Sequence, residues 1–290
     1  MKVRSKFASR PRRTGRRALA LTAAGVLAGA AGLFSAALLL QACGSDTTSG
    51  KRVVLHTRLT LEPSAASGFT TAVGWTVTLS QAMLAMGPVY YFDGAPPLEL
   101  ARNSRDWQRA ARWLGLGIAH AHPGHYVAGN AMGQMLEASS VDVLGGVTEL
   151  PDGDGVSGTY RSARFTFRAK ALGPLSAELG EQVALVTGSA EKEGEEPRFF
   201  VASAELADVA RSAAKGQVEG CEFSEVDVET DGTVTIAVNP AVWFNLVDFS
   251  AIEPGSAEAP SSFPAGSQPK LAFAQGLAQL SAYEFSYSNP

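Results

Sequence analysis

The sequence predicts an all-β fold, mainly an antiparallel β-sandwich with one or two short helical insertions. Three observations support this prediction. Apolar and polar residues alternate with a period of two in several segments, short apolar runs are separated by glycine and proline, and segments with helical periodicity are few. The 290-residue chain contains 30 Gly and 15 Pro. Residues 51–290 are enough for one all-β domain, so we expect a single domain there.

The alternation is clearest at the start of this domain. Within Lys51–Leu61, alternate residues such as Val53 and Leu55 are apolar, and polar or charged residues stand between most of them. Successive side chains of a strand point to opposite faces, so one face of this segment would be buried. The segment Gly74–Phe92 has the same character, and Gly87-Pro88 inside it predicts a bend. Further strands are predicted over Gly158–Ala169, Gln182–Ser189, Arg198–Ala204, Phe223–Val228 and Tyr283–Tyr287.

Turns and helices complete the predicted elements. Asp231-Gly232 lies between two strand-like runs, a pattern typical of a β-hairpin. Asp152–Gly155 has two carboxylates separated by glycine, and we interpret it as a turn before the next strand. The rest of a calcium-binding EF-hand pattern is missing there. The candidate helices are Asn103–Leu114, Glu205–Lys215 and Leu271–Leu280, and Pro254–Pro269 is interpreted as a loop.

The first 42 residues are interpreted as an export signal. Residues 1–17 contain eight basic residues and no acidic one, and Ala18–Leu40 follows as 23 residues without a charge. A basic head, an apolar run and small residues before a cleavage point are typical of a signal peptide. Leu40-Gln41-Ala42-Cys43 resembles the lipobox of bacterial lipoproteins. This resemblance implies a signal peptide over 1–42 and a diacylglycerol on Cys43, which becomes the new N-terminus.

The same resemblance implies a location. Residues 43–50 would form a lipidated tether, and the following domain would lie outside the cytoplasm, in the bacterial cell envelope, with its lipid in the membrane. It would be periplasmic or exposed at the surface. An uncleaved membrane anchor is the alternative, because 23 apolar residues can span a bilayer. With Cys43 acylated, Cys221 has no cysteine partner, and we expect it to be buried as a small apolar side chain.

The charge of the exported part excludes one class of partner. After residue 43 the chain has 16 basic and 28 acidic residues, which is a net charge of −12 with neutral histidine. Nucleic-acid binding requires a basic surface, because phosphates must be neutralised. We therefore expect no nucleic acid among the partners of this protein.

The histidines of the chain are crowded. Three of the four fall within six residues, as His120-x-His122-x-x-His125. In an extended chain His120 and His122 project from one face, and the Pro-Gly pair after them predicts a turn that returns His125 toward them. Imidazole nitrogens are ligands for Zn²⁺ and Cu²⁺, so the pattern predicts a copper or zinc site. His56, on the polar face of its strand, is the candidate fourth ligand. A histidine turn that holds no specific metal is the alternative.

Sulfur and aromatic residues are weaker candidates for the same role. Met132 and Met135 follow the histidines, and thioethers favour Cu(I). Their spacing is more typical of core packing, as is that of Met83 and Met86. The tryptophans are likewise expected in the core rather than in a ligand groove.

Two further segments carry a resemblance. Gly74–Gly94 and Ala282–Tyr287 are similar to segments of the copper-binding proteins associated with methanobactin uptake. Those proteins are exported β-sandwiches that bind copper through histidines. The resemblance therefore favours copper as the metal and implies no catalytic role.

Together these features predict a lipid-anchored, extracytoplasmic protein that captures, stores or delivers copper or zinc. A membrane transport protein is the candidate partner. A zinc-dependent hydrolase that uses the same histidines is one alternative, and a structural or adhesion lipoprotein with incidental histidines is the other. The sequence has no Gly-x-Ser-x-Gly, Walker or His-Glu-x-x-His pattern and marks no general base, so binding is favoured over catalysis.

Overall fold

Fifteen strands form two sheets in the computed structural model, which describes residues 50–97 and 126–290. The strands are β1 Arg52–Leu61, β2 Phe69–Thr70, β3 Thr76–Met86, β4 Val89–Phe92, β5 Ala131–Met135, β6 Ser139–Asp142, β7 Thr148–Glu149, β8 Gly153–Val156, β9 Gly158–Thr166, β10 Gln182–Glu191, β11 Arg198–Glu205, β12 Gln217–Val228, β13 Gly232–Val238, β14 Ser261–Ser262 and β15 Tyr283–Ser288.

Helices in the described part of the chain are short. The α-helices are Ser176–Leu179, Leu206–Val209, Pro240–Phe244 and Gln268–Leu277, and the 3₁₀ turns are Pro63–Ala65, Ala214–Gly216, Phe249–Ala251 and Leu280–Ala282. The helix predicted over Asn103–Leu114 lies outside the described residues. Among residues 50–97 and 126–290, no helix has the length and apolar character needed to cross a bilayer.

The first sheet has nine strands. Eight of them form a closed barrel, in the order β13-β15-β12-β9-β4-β5-β8-β1, and the two-residue β7 also pairs with β1. It closes because β1 pairs in parallel with β13, with Leu55 beside Gly232 and Leu61 beside Val238. The prediction of a mainly β fold is confirmed, but the sandwich is wrong. A barrel strand and a sandwich strand each bury one face, so their alternation is the same. Only the pairing of β1 with β13 distinguishes the two architectures.

The second sheet is open, in the order β14-β11-β10-β3-β2, and β6 pairs with the far half of β3. The chain passes from this sheet into the barrel at Gly87-Pro88, between β3 and β4, so the predicted bend is confirmed. There the Gly87 amide donates to the carbonyl oxygen of Thr166 at the end of β9, at 2.7 Å. This bond joins the two sheets at the crossing.

Aromatic rings fill the barrel. Tyr91, Tyr160, Phe223 and Phe285 lie side by side, with ring centroids 5.6–6.2 Å apart. The Tyr160 ring fits because glycines face each other on β5 and β8: a Cβ on Gly133 would lie 3.1 Å from the Tyr160 hydroxyl oxygen. The interior is therefore packed with side chains, as in other small barrels.

A second aromatic group lies between the second sheet and the helices. Phe200, Phe244 and Phe249 pack with centroids 5.0–6.1 Å apart, and Trp75 contacts Phe249 at 5.6 Å. Trp75 and Trp243 are fully buried, as expected of core residues. These residues and the barrel aromatics belong to one continuous core.

The hairpin predicted at Asp231-Gly232 is wrong. The turn joins β12 to β13, but β15 lies between these two strands in the barrel. The turn has another partner instead, because an Asp231 carboxylate oxygen accepts from the Val54 amide of β1 at 2.8 Å. Gly232 is needed there since the Tyr287 ring packs over it, and a Cβ would overlap that ring. The local pattern matched a hairpin, while long-range pairing inserted another strand.

Two smaller predictions also need correction. The turn predicted at Asp152–Gly155 is mostly strand, because β8 begins at Gly153 and pairs with both β1 and β5. The helix predicted over Glu205–Lys215 is limited to Leu206–Val209 and a 3₁₀ turn at its end. The helix predicted at Leu271–Leu280 is confirmed in position, but it begins earlier, at Gln268 after a Ser267 cap.

Candidate functional site

His56 is the histidine that the described part of the chain contains. It lies on the outer face of β1, and its Nδ1 is 2.9 Å from a carboxylate oxygen of Asp152, which precedes β8. The two side chains are 54 % and 60 % exposed, so the pair is open to solvent. A histidine that donates Nδ1–H to a carboxylate leaves Nε2 free to accept or to bind a metal. Within the described residues, no group of three or more His, Cys, Asp or Glu side chains could hold a metal ion.

The other predicted site residues, His120, His122, His125 and Cys43, lie outside the described residues. The structure describes the residues on either side of the histidine segment, Pro97 and Tyr126. The Tyr126 hydroxyl donates to Ser162 on β9 at 2.7 Å, and Ser162 in turn donates to the carbonyl oxygen of Gly94 at 2.6 Å. Tyr126 is therefore fixed to the barrel by a chain of hydrogen bonds.

Gly220 brings Pro97 and Tyr126 to the same place. It lies in β12 at an irregularity in the pairing with β9, with φ at +82°. A Cβ there would be 2.6 Å from the Pro97 ring and 3.4 Å from the Tyr126 ring. Only glycine adopts this backbone conformation and leaves room for both rings. Pro97 and Tyr126, the described residues on either side of 98–125, therefore lie at the same point of the barrel wall.

The wall around this point carries both charge and aromatic surface. The Arg164 guanidinium lies over the rings of Tyr90 and Phe92, 5.7 and 5.4 Å from their centroids, and it pairs with Glu219 at 2.9 Å. Burial raises the pKa of the Tyr126 phenol, and the hydrogen bond with Ser162 opposes this rise. The phenol therefore stays protonated and keeps its hydrogen bond at neutral pH.

Carboxylates of β12 lie close to the attachment point. The charge of Glu219 acts on Tyr126, and Glu222 lies opposite Ser162 in the pairing of β12 with β9. The carboxyl of Glu284 on β15 has a raised pKa because it is partly buried and faces Glu222 and Glu62. Glu219, Glu222 and Glu284 therefore make this side of the barrel acidic.

His56 and Tyr126 lie on different walls of the barrel. Tyr126 contacts β9, and β1 is four strands away from β9 in either direction around the closed sheet. The outer face of β1 therefore points away from the outer face of β9. In the structure, His56 therefore does not lie next to Tyr126, the residue that follows His125.

The sulfur-containing residues have structural positions. Met86 and Met135 are buried in the core, and Met83 is buried in a smaller apolar cluster, which agrees with packing positions for all three. Cys221 is also fully buried, as predicted, and burial raises the pKa of its thiol to about 12. A protonated and enclosed thiol is neither a metal ligand nor a nucleophile. Met132 is half-buried against the core.

Two cavities were missed by the sequence analysis. One, of about 400 Å³, lies between the helices Pro240–Phe244 and Gln268–Leu277. The other, of about 370 Å³, lies on the outer face of the second sheet and is lined by hydroxyl groups of β3 and β10. The sequence shows the alternating hydroxyls of Thr76, Thr78 and Ser80, but it does not show which face of the sheet they lie on or which residues pack beside them.

Comparisons of the chain with protein-family models, curated proteins and solved structures found no match.

Proposed function

We propose that this protein is a lipid-anchored, extracytoplasmic metal-binding protein that holds copper or zinc through His120, His122 and His125. The observation that carries the proposal is the crowding of three of four histidines into six residues of an otherwise histidine-poor chain. Neutral imidazole nitrogens are ligands for either metal. A lipid on Cys43 would hold the protein at the membrane. There it could capture or store the metal, or deliver it to a membrane transport partner.

The attachment of the histidine segment supports this proposal. Pro97 and Tyr126 lie together at Gly220, and Tyr126 is only one residue from His125. The chain directly after His125 is therefore already held in place, which lowers the entropy lost when the histidines close around a metal. The carboxylate of Glu222 lies on the same wall and is a candidate additional ligand, which Zn²⁺ accepts more readily than Cu(I).

His56 is left out of the proposed ligand set. It is paired with Asp152 on a wall four strands away from Tyr126. His56 therefore provides a matched control, because a His56→Ala variant removes one imidazole from the chain and leaves His120, His122 and His125 unchanged.

The test is elemental analysis of the exported full chain, purified in detergent without a histidine tag. We expect about one equivalent of copper or zinc per chain, lost in the double variant His120→Ala/His122→Ala and kept in His56→Ala. Absence of bound metal and of uptake on titration would refute the proposal. Loss of metal in His56→Ala would instead place His56 in the ligand set and contradict the separation of the two walls.

A further inference from the structure

The cavity on the second sheet has a lining of one chemical type. Its volume is about 370 Å³, within the range of small-molecule sites. Its ten lining residues carry hydroxyl, apolar or aromatic groups and no ionisable side chain: Thr78, Leu79, Ser80, Thr187, Gly188, Ser189, Phe199, Phe200, Ala257 and Pro260.

The hydroxyls stand in two rows on neighbouring strands. Thr78 and Ser80 come from β3, Thr187 and Ser189 come from β10, and Ser80 Oγ lies 2.8 Å from Thr187 Oγ1. A bulge in β3 produces this arrangement. Leu79 pairs with Gly188 and Gln81 pairs with Thr187, so Ser80 between them is an extra residue. Bulges redirect side chains and are frequent next to functional sites.

The same bulge divides the outer face of the sheet. Beyond it, Met83 and Ala85 face outward and are covered by Leu179 of the helix Ser176–Leu179 in a small apolar cluster. Before it, the hydroxyls face outward without such a cover. One half of the face is therefore ordinary packing, while the other half is open at the cavity.

The rim of the cavity is held by its own hydrogen bonds. Ser256 and Ala259 exchange two backbone bonds of 3.1 and 3.2 Å, and this turn carries Ala257 at the rim. Gly255, just before it, packs so closely that a Cβ would lie 2.9 Å from the carbonyl oxygen of Phe199. The loop is therefore seated against β11 before any ligand arrives, which reduces the entropy lost on binding.

Two basic side chains close in sequence to the lining residues are engaged elsewhere. Lys192, after β10, lies over the Trp75 ring at 5.6 Å, and Arg198, at the start of β11, lies 3.8 Å from Glu195. Neither lines the cavity. An anionic ligand would find no counter-charge in this lining, and an ionic group would lose hydration without compensation.

From this lining we infer that the cavity is a binding site for a neutral saccharide unit. Each hydroxyl of the lining can both donate and accept, which matches the hydroxyls of a sugar. The Phe199 side chain adds an apolar aromatic group to this lining, against which the C–H groups of a sugar ring can pack. This inference depends only on residues of the second sheet and of the loop beside it, and not on the proposed metal site.

The inference is tested by saturation-transfer NMR on the full chain, held in a detergent without a sugar headgroup. The probes are the neutral disaccharides cellobiose and maltose, and digalacturonate is the charged comparison. We expect transfer to at least one neutral disaccharide and none to digalacturonate. The Thr187→Val variant, which removes one hydroxyl and keeps the shape, should weaken binding about tenfold. Phe199→Ala should weaken it by at least as much.

Thr233→Val is the matched control, because Thr233 lies on β13 of the barrel, away from the cavity. It should bind like the parent, and thermal melting of each variant checks that the fold is kept. Absence of transfer to both neutral disaccharides in the folded parent would overturn the inference. Equal binding of digalacturonate, or unchanged binding by Thr187→Val, would overturn it too.

Discussion

The barrel and the second sheet share one core but differ in which of their faces are buried. The barrel closes on itself through β1 and β13, and its interior is filled by four aromatic rings. The second sheet is open, with one face in the core and the other facing out, part covered by a short helix and part lined by hydroxyls. A filled barrel gives a rigid frame with no room for a ligand, whereas a sheet with one free face can form a shallow site. In this protein ligand chemistry is expected outside the barrel.

The largest effect is expected from truncating the barrel interior. Phe223→Ala would remove a fully buried ring between Tyr91, Tyr160 and Phe285, at a cost of about 3–5 kcal/mol in the free energy of unfolding. Phe199→Ala removes a half-buried ring at the open cavity and should cost about 1 kcal/mol or less. Urea unfolding measures both. Equal costs would contradict the distinction between a filled barrel and an open sheet face.

An intermediate effect is expected from adding a methyl group inside the barrel. On Gly155 a new Cβ would lie 2.9 Å from Leu55 and would crowd the Tyr160 hydroxyl, so Gly155→Ala should cost about 1–3 kcal/mol. Gly87→Ala, at the crossing between the sheets, places its Cβ 3.5 Å from Thr166, an ordinary contact. We expect it to change the stability by less than about 0.5 kcal/mol. A similar loss in both variants, measured by thermal unfolding, would show that the interior is less tightly packed than described.

The smallest effect concerns the acidic side of the barrel, which carries Glu219, Glu222 and Glu284. The cavity on the second sheet, in contrast, is lined by no ionisable side chain. Partial burial and the charges of Glu222 and Glu62 raise the pKa of the Glu284 carboxyl in the folded protein. The folded state then binds this proton more tightly than the unfolded chain, so stability falls as the pH rises from the unfolded pKa through the folded one.

Glu284→Gln should therefore stabilise the protein at neutral pH, by less than about 1 kcal/mol because solvent screens a partly exposed group. The gain should vanish below about pH 4, where both states are protonated. Melting curves at the two pH values measure this, with Glu191→Gln on β10 as an exposed control from the other sheet. A gain that is independent of pH would point to a cause other than ionisation.

Local patterns account for much of what could be predicted. The period-two alternation located most of the long strands, and Val53, Leu55 and Leu59 are buried as their spacing implied. The burial of Cys221 and of the tryptophans at 75 and 243 followed from the general behaviour of those residue types. The site predictions rest on histidines 120, 122 and 125, which lie outside the described residues, and on His56, which is exposed beside Asp152.

The failures have a common cause, which is pairing between distant segments. Asp231-Gly232 has the local signature of a hairpin, yet β15, more than 50 residues later, lies between the two flanking strands. In the same way, Asp152–Gly155 was interpreted as a turn because its composition is typical of turns. Glycine is instead needed at position 155 of this strand, because the Tyr160 hydroxyl occupies the space that a Cβ would take. Tertiary packing overrides local propensity in both places.

The amino-acid order by itself determines that this chain is β-rich, where most of its long strands lie, that the part after residue 43 is acidic, and that its histidines are crowded. These are properties of neighbouring residues, and they follow from side-chain alternation and composition. The closure of the barrel, the insertion of β15, the meeting of Pro97 and Tyr126 at Gly220, and the hydroxyl cavity depend on contacts between distant strands. Alternation determines which face of each strand is buried, but it does not determine which strand pairs with which. These features therefore arise only when the chain packs.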